Sequence, residues 1–567
     1  MEKGIQGKNQ TLVDLIFNYP GEREQEQVLI FLNSKGEEFE SFSFLTLKEK
    51  CLTVANNVTK LFPPGDVVLL PIEELDDFVI SFFGIIMAGC IPAPTPSLRL
   101  SGKKIKAELA FQILKQNKVT SIVVPDYQYD QVKELLALQN LKSVKVVNID
   151  ELKKENASDK PFPEISSDSV AYIQYTSGST GSPKGVLLDH DCVLNNINKM
   201  CRVFEWKKMQ NKIIVCGWIP FYHDMGLVGH LLNILFVNGL GVFMPARSFL
   251  SSPAIWLNAI NKYKGTSCAS PNFALEHVTQ NVTPDADLDL SSWKQVFVGS
   301  ENVSASVLNG FCEKFERYGF ECNAFKPVYG LAEATLLVAG GDKGIQELLP
   351  LIKDWNPANK LSRKLVPYTL ENMDSVKIHN METSEECKPG MEGEIWVNSP
   401  SNFSGYYEDK SDDDTSKTLK TGDLGMIENG HLYITGRIKE MVVMRGVNFY
   451  AEDLEIAVKH EQEHLISSDK TVCISNITDS GELFVVFQEV YRHKSEAELE
   501  SIVQQITTNL YDTFSIKPHL VVMLPQRFIP RTTSFKIARR KCLDSYLSGD
   551  LKALYESNKE FREGHNL

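Results

Sequence analysis

The sequence predicts an α/β protein with two domains. The large N-terminal domain is expected to hold several stacked mixed sheets and a small barrel-like part, and the C-terminal domain to be a small mobile α+β unit. Three observations support this. The 567 residues exceed one ordinary hydrophobic core. Short β-rich runs alternate with helix-length patterns over the first two thirds, and the spacing of strands changes twice afterwards. We place the domains at residues 1–438 and 439–567.

The first two thirds of the chain carry the strand and helix alternation. A helix-length stretch, DHDCVLNNINKMCRVF, repeats Val193, Ile197 and Cys201 at a four-residue spacing. Strands that alternate with helices form mostly parallel sheets. The β-rich runs are VVLL (Val67–Leu70), SIVV (Ser121–Val124), VKVVNI (Val144–Ile149), IIVCGWI (Ile213–Ile219), GVFMP (Gly241–Pro245) and QVFVG (Gln295–Gly299).

The spacing of strand and turn signals becomes shorter from about Gly393. Closely spaced strand signals and turns, GEIWVNSP and LKTGDLGMIENGHLYITGRI, predict a small antiparallel or barrel-like part. From Lys439 helices and strands alternate again, as in EDLEIAVKHE, TVCISNI and GELFVVFQEV. This last part has the length of a compact α+β domain, so the boundary is expected near Arg437–Lys439.

Composition and charge exclude several classes of protein. A net charge of -14 and a pI near 5.4 argue against a nucleic-acid partner, which needs a basic surface. The apolar run Phe78–Ile91 is shorter than the roughly 20 residues of a membrane span, so it predicts a core helix and no transmembrane segment. The polar start MEKGIQGKNQ predicts a cytoplasmic location, and the 11 scattered cysteines are expected to be reduced and mostly buried.

The stretch QYTSGSTGSPKGV (Gln174–Val186) is rich in glycine and hydroxyl residues. It fails the Walker A pattern twice, because Pro183 occupies the second glycine position and Gly185 follows the lysine. The segments on either side read as strands, so the loop is expected to join two strands without a helix at its end. Backbone N–H groups, hydroxyls and one lysine suit the oxygens of a polyphosphate. The alternative is a surface Ser/Gly linker.

Further motifs follow this loop in order over about 174–540. WIPFYHDMGL spans Trp218–Leu227, VGSEN spans Val298–Asn302, and YGLAEATL spans Tyr329–Leu336. TGDLG at Thr421–Gly425 and GRIKE at Gly436–Glu440 complete the set. Together the six motifs resemble those of the adenylate-forming superfamily, which contains acyl-CoA synthetases, luciferases and peptide-synthetase adenylation domains. The resemblance implies that ATP and Mg²⁺ are the cofactors.

The resemblance assigns the nucleotide site motif by motif. The glycine-rich loop is expected to bind phosphates, VGSEN the adenine side, and YGLAEATL the adenine and Mg²⁺. TGDLG is expected to bind the ribose, and GRIKE is expected to form the hinge at Lys439, with Arg437 before it available to ribose or phosphate. The implied nucleotide-binding residues are Thr176, Ser177, Gly178, Ser179, Thr180, Gly181, Lys184, Gly299, Ser300, Glu301, Tyr329, Gly330, Ala332, Asp423 and Arg437.

The chemistry of three of these motifs fits the implied roles. The carboxylate of Glu333 suits Mg²⁺, which prefers oxygen ligands; an isolated glutamate would ordinarily be a helix-surface residue. Asp423 can accept hydrogen bonds from two ribose hydroxyls, although aspartate in a loop more commonly forms an Asx turn. Arg437 offers a fixed fork of donors, with an ordinary surface arginine as the alternative.

The resemblance also implies an acyl gate, a catalytic lysine and a hinge. Tyr222, His223, Asp224, Met225 and Gly226 are the candidate gate and substrate-binding residues, and His223 is a catalytic candidate beside Glu333. A lone histidine in such an apolar stretch is more often a core residue.

The catalytic lysine lies in PRTTSFKIARR (Pro530–Arg540), where spacing selects Lys536. Members of the superfamily usually carry glycine before this lysine, whereas Phe535 stands here and permits fewer backbone conformations. The alternative is that Lys536 belongs to a cationic cluster with Arg539, Arg540 and Lys541 on a solvated helix. Lys439 is the expected hinge.

Within the superfamily, FYHDMGL and the alanine before Glu333 are most similar to the fatty acyl-AMP ligases. Their hallmark insertion matches Gly340–Lys364, whose IQELLPLI is apolar enough to favour docking over a free surface loop. The resemblance implies activation of a medium- or long-chain fatty acid, then transfer to the phosphopantetheine thiol of an acyl carrier protein or polyketide synthase. The alternatives are an acyl-CoA ligase and a non-catalytic acyl-nucleotide sensor.

Overall fold

A computed structural model describes most of the chain. The residues it describes are 10–17, 21–98, 100–101, 104–105, 108–116, 119–155, 161–176, 183–206, 209, 213–355, 363–407, 418–444, 447–460, 466–478, 481–491, 494–532 and 536–558. Within these ranges no helix has both the length and the apolar character that crossing a membrane requires.

Helices and strands alternate along the described ranges. The helices are α1 (Asp14–Phe17), α2 (Phe44–Leu61), α3 (Leu75–Met87), α4 (Glu108–Gln116), α5 (Asp126–Leu138), α6 (Ile149–Leu152), α7 (His190–Val203), α8 (Asp224–Gly226), α9 (Asn233–Phe236), α10 (Ala246–Ser251), α11 (Ala254–Tyr263), α12 (Asn272–Asn281), α13 (Ala305–Phe315), α14 (Ile345–Leu348), α15 (Ala451–Lys459), α16 (Glu496–Phe514) and α17 (Arg539–Leu547). The strands are β1 (Gln27–Leu32), β2 (Glu38–Ser43), β3 (Val67–Leu70), β4 (Ile91–Pro94), β5 (Leu100–Ser101), β6 (Lys104–Ile105), β7 (Ser121–Val124), β8 (Lys145–Asn148), β9 (Val170–Thr176), β10 (Lys184–Asp189), β11 (Ile214–Gly217), β12 (Leu240–Phe243), β13 (Ser267–Ser270), β14 (Gln295–Val298), β15 (Phe325–Gly330), β16 (Leu337–Gly340), β17 (Lys353–Trp355), β18 (Arg363–Leu365), β19 (Tyr368–Thr369), β20 (Ser375–His379), β21 (Gly393–Asn398), β22 (Thr418–Glu428), β23 (His431–Arg437), β24 (Met441–Met444), β25 (Val447–Tyr450), β26 (Ile466–Thr478), β27 (Gly481–Val490), β28 (Leu520–Pro525) and β29 (Tyr555–Glu556).

The largest sheet has eight strands in the order β16-β15-β14-β13-β11-β12-β1-β2. Its six inner strands run parallel, and β2 and β16 pair antiparallel at the two edges. The helices between the strands supply the crossovers that parallel pairing requires. The predicted α/β class with mixed sheets is therefore confirmed, and the carboxyl ends of the parallel strands meet at one edge.

A second, parallel sheet has the order β4-β3-β7-β8, and the hairpin β9-β10 packs against it. The side chains of Ile173 and Tyr175 on β9 share a buried cluster with Leu69 and Ile122 of this sheet. The apolar run predicted to be a core helix forms α3, where Leu75 and every residue from Phe78 to Met87 are buried. That prediction is confirmed.

A five-stranded antiparallel sheet follows, in the order β19-β23-β22-β21-β20. This confirms the antiparallel part predicted from Gly393 onward. In the described part of the chain its edge strands β19 and β20 do not pair with each other. The sheet is therefore open rather than a closed barrel.

The last part of the chain has hydrophobic cores of its own. One core joins β24 to α15 and α16, and a second packs α17 on β27 and β28. The predicted boundary at residue 438 falls between Ile434, which belongs to the preceding core, and Val442, which belongs to the next.

The cysteines follow the prediction with one exception. Nine are free thiols and eight of these are buried. Cys312 and Cys322, however, form a disulfide with 5.6 Å between their Cα atoms, so the expectation of reduced thiols is wrong for this pair. The chain reverses direction after α13 through Gly319, whose φ of +83° suits glycine, and this turn brings the two cysteines together.

Candidate active site

The carboxyl ends of β14 and β15 form one wall of a cleft. Gly299 and Ser300 follow β14 directly, and Ser300 adopts a left-handed φ of 69° that non-glycine residues rarely take. A side chain at position 299 would stand 2.7 Å from the carbonyl oxygen of Val328, and one at position 330 would stand 1.7 Å from that of Leu336. The two glycines therefore let these strand ends and the next turn approach closely.

Asp423 is the centre of a buried hydrogen-bonded cluster. It faces Arg437 across the β22-β23 ladder, and its side chain is 5% exposed. Arg437 donates through Nε to Oδ1 at 2.5 Å and through Nη2 to Oδ2 at 3.3 Å, while the Tyr329 hydroxyl donates to Oδ2 at 2.6 Å. Asp423 raises the pKa of Arg437, and burial together with Asp423 raises that of Tyr329. Two predicted nucleotide residues, Tyr329 and Arg437, thus meet at the carboxylate of a third, Asp423.

The strand, loop and strand arrangement predicted for the glycine-rich stretch is confirmed. β9 and β10 pair antiparallel, with Thr176 opposite Lys184. No helix follows the lysine directly, because α7 starts only after Asp189, which caps it by accepting from the Cys192 N–H at 2.6 Å. The exclusion of a Walker A loop therefore stands. The predicted phosphate residues Ser177, Gly178, Ser179, Thr180 and Gly181 lie outside the described residues.

Tyr406 joins the phosphate hairpin to Glu333. Its hydroxyl donates to Oε1 of Glu333 at 3.1 Å, and Nζ of Lys184 lies 4.3 Å from the centre of its ring. A lysine at that distance from an aromatic face is attracted by the ring electrons. Tyr406 was not among the predicted site residues; its signal in the sequence was a pair of tyrosines directly after Gly405.

The segment around Tyr406 also closes the edge of the hairpin. The Leu187 N–H donates to the Gly405 carbonyl at 2.9 Å, and the Tyr407 N–H donates to the Gly185 carbonyl at 2.7 Å. The φ of Gly405 is +129°, a conformation that favours glycine. Backbone pairing therefore fixes the Tyr406 ring between Lys184 and Glu333.

Glu333 lies on a tight turn at the end of β15. The short helix Ala332–Ala334 ends at Thr335, whose φ of 67° and ψ of -57° give a γ-turn, and the Leu336 N–H donates to the Ala334 carbonyl at 2.8 Å. This kind of turn is rare and strained. Ala332 is buried, and the half-buried carboxylate of Glu333 faces Tyr406.

The candidate gate follows β11. Gly226 is required there, because a side chain would stand 2.2 Å from the Pro220 carbonyl oxygen. The Tyr222 carbonyl accepts from the buried Gln174 of β9 at 2.7 Å, and Met225 is buried. A π-helical stretch, Leu227–Leu232, continues the segment, and π-helical turns are frequent at functional sites.

His223 and Asp224 form a pair in this gate. Nδ1 of His223 lies 2.7 Å from Oδ1 of Asp224 and 3.2 Å from the Met225 nitrogen. The Met225 N–H also donates to Asp224 at 2.7 Å. The Met225 N–H thus lies within hydrogen-bond distance of both side chains and holds His223 and Asp224 together in the gate.

Lys536 of the C-terminal part reaches this cleft. Its N–H bonds the Thr532 hydroxyl at 3.1 Å, and its carbonyl accepts from the Thr532 N–H at 2.7 Å, which makes a tight loop. Burial and Arg437 lower the pKa of Lys536, whereas Asp224, Glu301 and Asp423 raise it in part. The lysine is thus within electrostatic range of residues from the gate, adenine and ribose motifs. Phe535 lies outside the described residues.

The predicted insertion contacts the C-terminal part through Arg363. Its Nη1 forms an ion pair with Glu452, its Nη2 donates to the Thr435 carbonyl, and its Nε lies 3.1 Å from Oδ1 of Asp453. The rings of Trp355 and Tyr450 add an edge contact at 6.3 Å between centres. Residues 356–362 of the insertion lie outside the described ranges. In the apolar stretch IQELLPLI, Ile345 and Leu348 are buried whereas Leu349 is 40% exposed, so the stretch is docked in part.

The predicted hinge residue Lys439 lies in the short helix Ile438–Glu440 between β23 and β24. Arg539 at the start of α17 bonds Glu440 at 2.5 Å and Glu455 at 2.8 Å and 2.9 Å. These bonds tie the residue after the hinge to the body of the C-terminal part.

Among the described residues, no group of three or more His, Cys, Asp or Glu side chains could enclose a metal ion. Mg²⁺ at phosphate-transfer sites is usually held by one or two carboxylates, substrate phosphates and water. The half-buried carboxylate of Glu333, next to the phosphate hairpin, fits that donor set.

Comparisons with known proteins agree with this geometry. The AMP-binding enzyme family matches residues 20–407, and the AMP domain of Disco-interacting protein 2-like proteins matches residues 439–556. The medium-chain-fatty-acid–[acyl-carrier-protein] ligase JamA of Moorena producens is 31% identical over 95% of this chain and 96% of its own. The long-chain-fatty-acid–AMP ligase FadD26 of Mycobacterium marinum is 29% identical over 91% of this chain and 93% of its own.

Two solved structures extend the likeness to the fold. One, from work on fatty acyl-adenylate ligases of E. coli and L. pneumophila, has a TM-score of 0.81 and 26% identity, and the match covers 95% of this chain and 98% of that one. The other is a fatty acyl-adenylate ligase from L. pneumophila in complex with acyl adenylate and pyrophosphate, with a TM-score of 0.68, 28% identity and coverage of 98% and 99%.

Proposed function

The chain belongs to the AMP-binding enzymes and, within them, to the fatty acyl-AMP ligases, and on that premise we propose how its residues perform the reaction. It is an ATP-dependent ligase that converts a fatty acid to an acyl adenylate with release of pyrophosphate. The acyl group then passes to the phosphopantetheine thiol of an acyl carrier protein. The observation that carries the mechanism is the hydrogen-bonded cluster of Asp423, Arg437 and Tyr329, with Lys536 of the C-terminal part within electrostatic range of Asp423.

In the first step a carboxylate oxygen of the fatty acid attacks the α-phosphorus of ATP. A new oxygen–phosphorus bond forms while the bond from the α-phosphorus to the oxygen of the leaving pyrophosphate breaks, so negative charge moves from the carboxylate to the α-phosphate oxygens and the pyrophosphate. Lys536 supplies the positive charge between the attacking carboxylate and the α-phosphate. Burial lowers its pKa, but the three surrounding carboxylates favour its charged form.

Asp423, Tyr329 and Arg437 hold the nucleoside end of ATP. Asp423 accepts from the ribose hydroxyls, and Arg437 orients the carboxylate through two charge-assisted hydrogen bonds. We assign the adenine to the strand ends at Gly299–Glu301 and Tyr329–Gly330, where both glycines let neighbouring backbone segments approach closely.

Thr176, Lys184 and the loop between them hold the β- and γ-phosphate oxygens that leave as pyrophosphate. When bound, Mg²⁺ would neutralise phosphate charge and orient the leaving group. Glu333 is the residue that would hold it, and Tyr406 holds one oxygen of this carboxylate by its hydroxyl.

The fatty acid enters past Tyr222, His223 and Met225. His223 and Asp224 form the polar end of this entrance, next to Lys536, while the buried Met225 and Gly226 belong to its apolar side. This arrangement suits a substrate with a carboxylate head and a long hydrocarbon tail.

In the second step the carrier thiol attacks the acyl carbonyl, a thioester forms, and AMP leaves with the electron pair of the broken bond while the thiol proton is lost to solvent. We infer that the C-terminal part, residues 439–567, turns about Lys439 for this step. Arg363 opposes the turn because it binds Glu452 and Asp453 of that part. A restrained turn favours a carrier-bound thiol over free coenzyme A. A polyketide synthase carrier domain and a cytoplasmic location remain predictions.

One set of assays separates the remaining alternatives. Pyrophosphate release that depends on fatty acid and ATP excludes a non-catalytic acyl-nucleotide sensor. Acyl transfer is then measured in parallel to coenzyme A and to a holo carrier protein. We expect the carrier thioester alone; efficient acyl-CoA formation would instead identify an acyl-CoA ligase.

A further inference from the structure

A buried asparagine outside the sequence motifs holds the turn that carries Glu333. Asn196 lies on α7 and is 0% exposed. Its amide nitrogen donates to the Ala334 carbonyl at 3.0 Å and to the Leu337 carbonyl at 3.1 Å, and its Oδ1 accepts from the Leu337 N–H at 3.0 Å. The three bonds end on residues that flank Thr335, the centre of the strained γ-turn.

The hydrogen bonds of the Asn196 amide do more than satisfy a buried polar group, because they hold a strained turn. Thr335 holds a φ of 67° that its β-branched side chain disfavours, so the surroundings have to enforce the turn. Besides Asn196, the Thr335 hydroxyl donates to the Ser401 carbonyl at 2.7 Å. Asn196 closes both ends of the turn with one planar side chain, and Glu333 is the residue whose direction this turn determines.

Because it lies on α7, Asn196 connects the turn that carries Glu333 to the phosphate hairpin. The helix directly follows β10, which begins with Lys184 of the phosphate hairpin. Asn196 therefore ties the Glu333 turn to the element after the hairpin, while Tyr406 bridges Glu333 and Lys184 from the other side. Two independent connections fix the carboxylate relative to the phosphate loop.

We propose that Asn196 is a positioning residue for Glu333, holding the γ-turn so that the carboxylate faces the metal-bound phosphates of ATP. The inference rests on the proposed role of Glu333 as the Mg²⁺ ligand. Supporting residues of metal ligands typically contribute about 10- to 100-fold to metal affinity or activity. We therefore expect loss of Asn196 to weaken nucleotide binding only where a metal ion accompanies the nucleotide.

The test measures binding rather than turnover. Adenosine 5′-(α,β-methylene)triphosphate, which cannot release pyrophosphate, is titrated by calorimetry into the full chain with Mg²⁺ and, separately, with EDTA. The ratio of the two dissociation constants reports the metal-dependent part of binding. It is measured for wild type, Asn196→Ala, Glu333→Gln and the double variant.

Asn57 provides a matched control. It is a buried asparagine of α2 whose amide donates to the carbonyls of Thr53, Leu152 and Lys154 at 3.2, 3.0 and 2.8 Å, remote in sequence from every motif. Asn57→Ala removes a comparable set of buried bonds. If Asn196→Ala does not fold, Asn196→Asp keeps the size of the side chain and the acceptor but loses both donated bonds, and Asn57→Asp is its control.

We expect Asn196→Ala to reduce the metal-dependent ratio about 10-fold and Asn57→Ala to leave it within about twofold. The double variant should lose no more than Glu333→Gln alone, since both changes act through one carboxylate. If Glu333→Gln abolishes the dependence of nucleotide binding on Mg²⁺ but both Asn196 variants retain it, the role of Asn196 is overturned and that of Glu333 stands. If the wild-type protein binds the nucleotide equally well with Mg²⁺ and with EDTA, the assignment of Mg²⁺ to Glu333 is overturned. The role of Asn196 then falls with it.

Discussion

Neutralising Asp453 should change how the stability of this enzyme depends on pH. Asp453 lies in the first turn of α15, its side chain is 8% exposed, and the Nε of Arg363 is 3.1 Å away. Burial raises its pKa from 3.8 to about 6, with Glu452 and Glu392 adding to the rise and Arg363 opposing it. The folded protein therefore holds a proton on this carboxyl that the unfolded chain releases at lower pH.

The sign and size of the effect follow from that pKa. A raised carboxyl pKa contributes stability that is fully present below about pH 4 and is lost as pH rises through 6. A rise of roughly 2 units corresponds to about 3 kcal/mol in total. About half of this, 1.5 kcal/mol, is lost between pH 5 and pH 7. Asp453→Asn cannot ionise, so the variant should gain stability relative to wild type over that interval.

The assay is urea unfolding at pH 5, 6 and 7, followed by far-ultraviolet circular dichroism and by tryptophan fluorescence. All six tryptophans precede residue 439, so fluorescence reports on the N-terminal part and dichroism on the whole chain. Asp512→Asn, on the exposed face of α16, is the control and should change stability by less than about 0.5 kcal/mol at each pH. A difference between Asp453→Asn and wild type that stays constant from pH 5 to pH 7 would refute the reasoning.

Three further predictions concern the reaction. Lys536→Ala should slow acyl-adenylate formation at least about 100-fold and leave transfer from supplied acyl-AMP partly intact; equal loss of both steps, measured by pyrophosphate release and thioester formation, would contradict the assignment. Tyr406→Phe keeps the ring over Lys184, so it should release pyrophosphate about fivefold faster than Tyr406→Leu. Equal rates for the two variants would mean that the ring contact does not contribute to the reaction. Arg363→Ala should raise acyl-CoA formation relative to carrier acylation, because the C-terminal part loses its contact with the insertion; an unchanged product ratio would count against the restraint.

The sequence predicted the elements of the fold where local patterns carry the signal. The alternation of β-rich runs and helical spacing located β3 and β7 to the residue, and the β-rich segments on either side of the glycine-rich loop predicted the strands β9 and β10. The disulfide between Cys312 and Cys322 was not predicted. It depends on how the chain turns at Gly319 after α13, and a spacing of 10 residues does not reveal that turn.

In the candidate site, too, residues in local motifs were predicted and contacts between distant segments were not. A motif is a contiguous string, so it predicts residues whose role depends on the local backbone, such as Asp423 in a TGD turn. It does not predict that Tyr329, 94 residues earlier, bonds the same carboxylate. Tyr406 and Asn196 lie beyond any motif because they act through pairing between distant segments: 404–407 against β10, and α7 against the turn after β15. The residues that we propose for substrate binding are therefore predictable one by one from motifs, whereas Tyr406 and Asn196, which contact Glu333 and its turn, are identified only when the strands and helices are assembled.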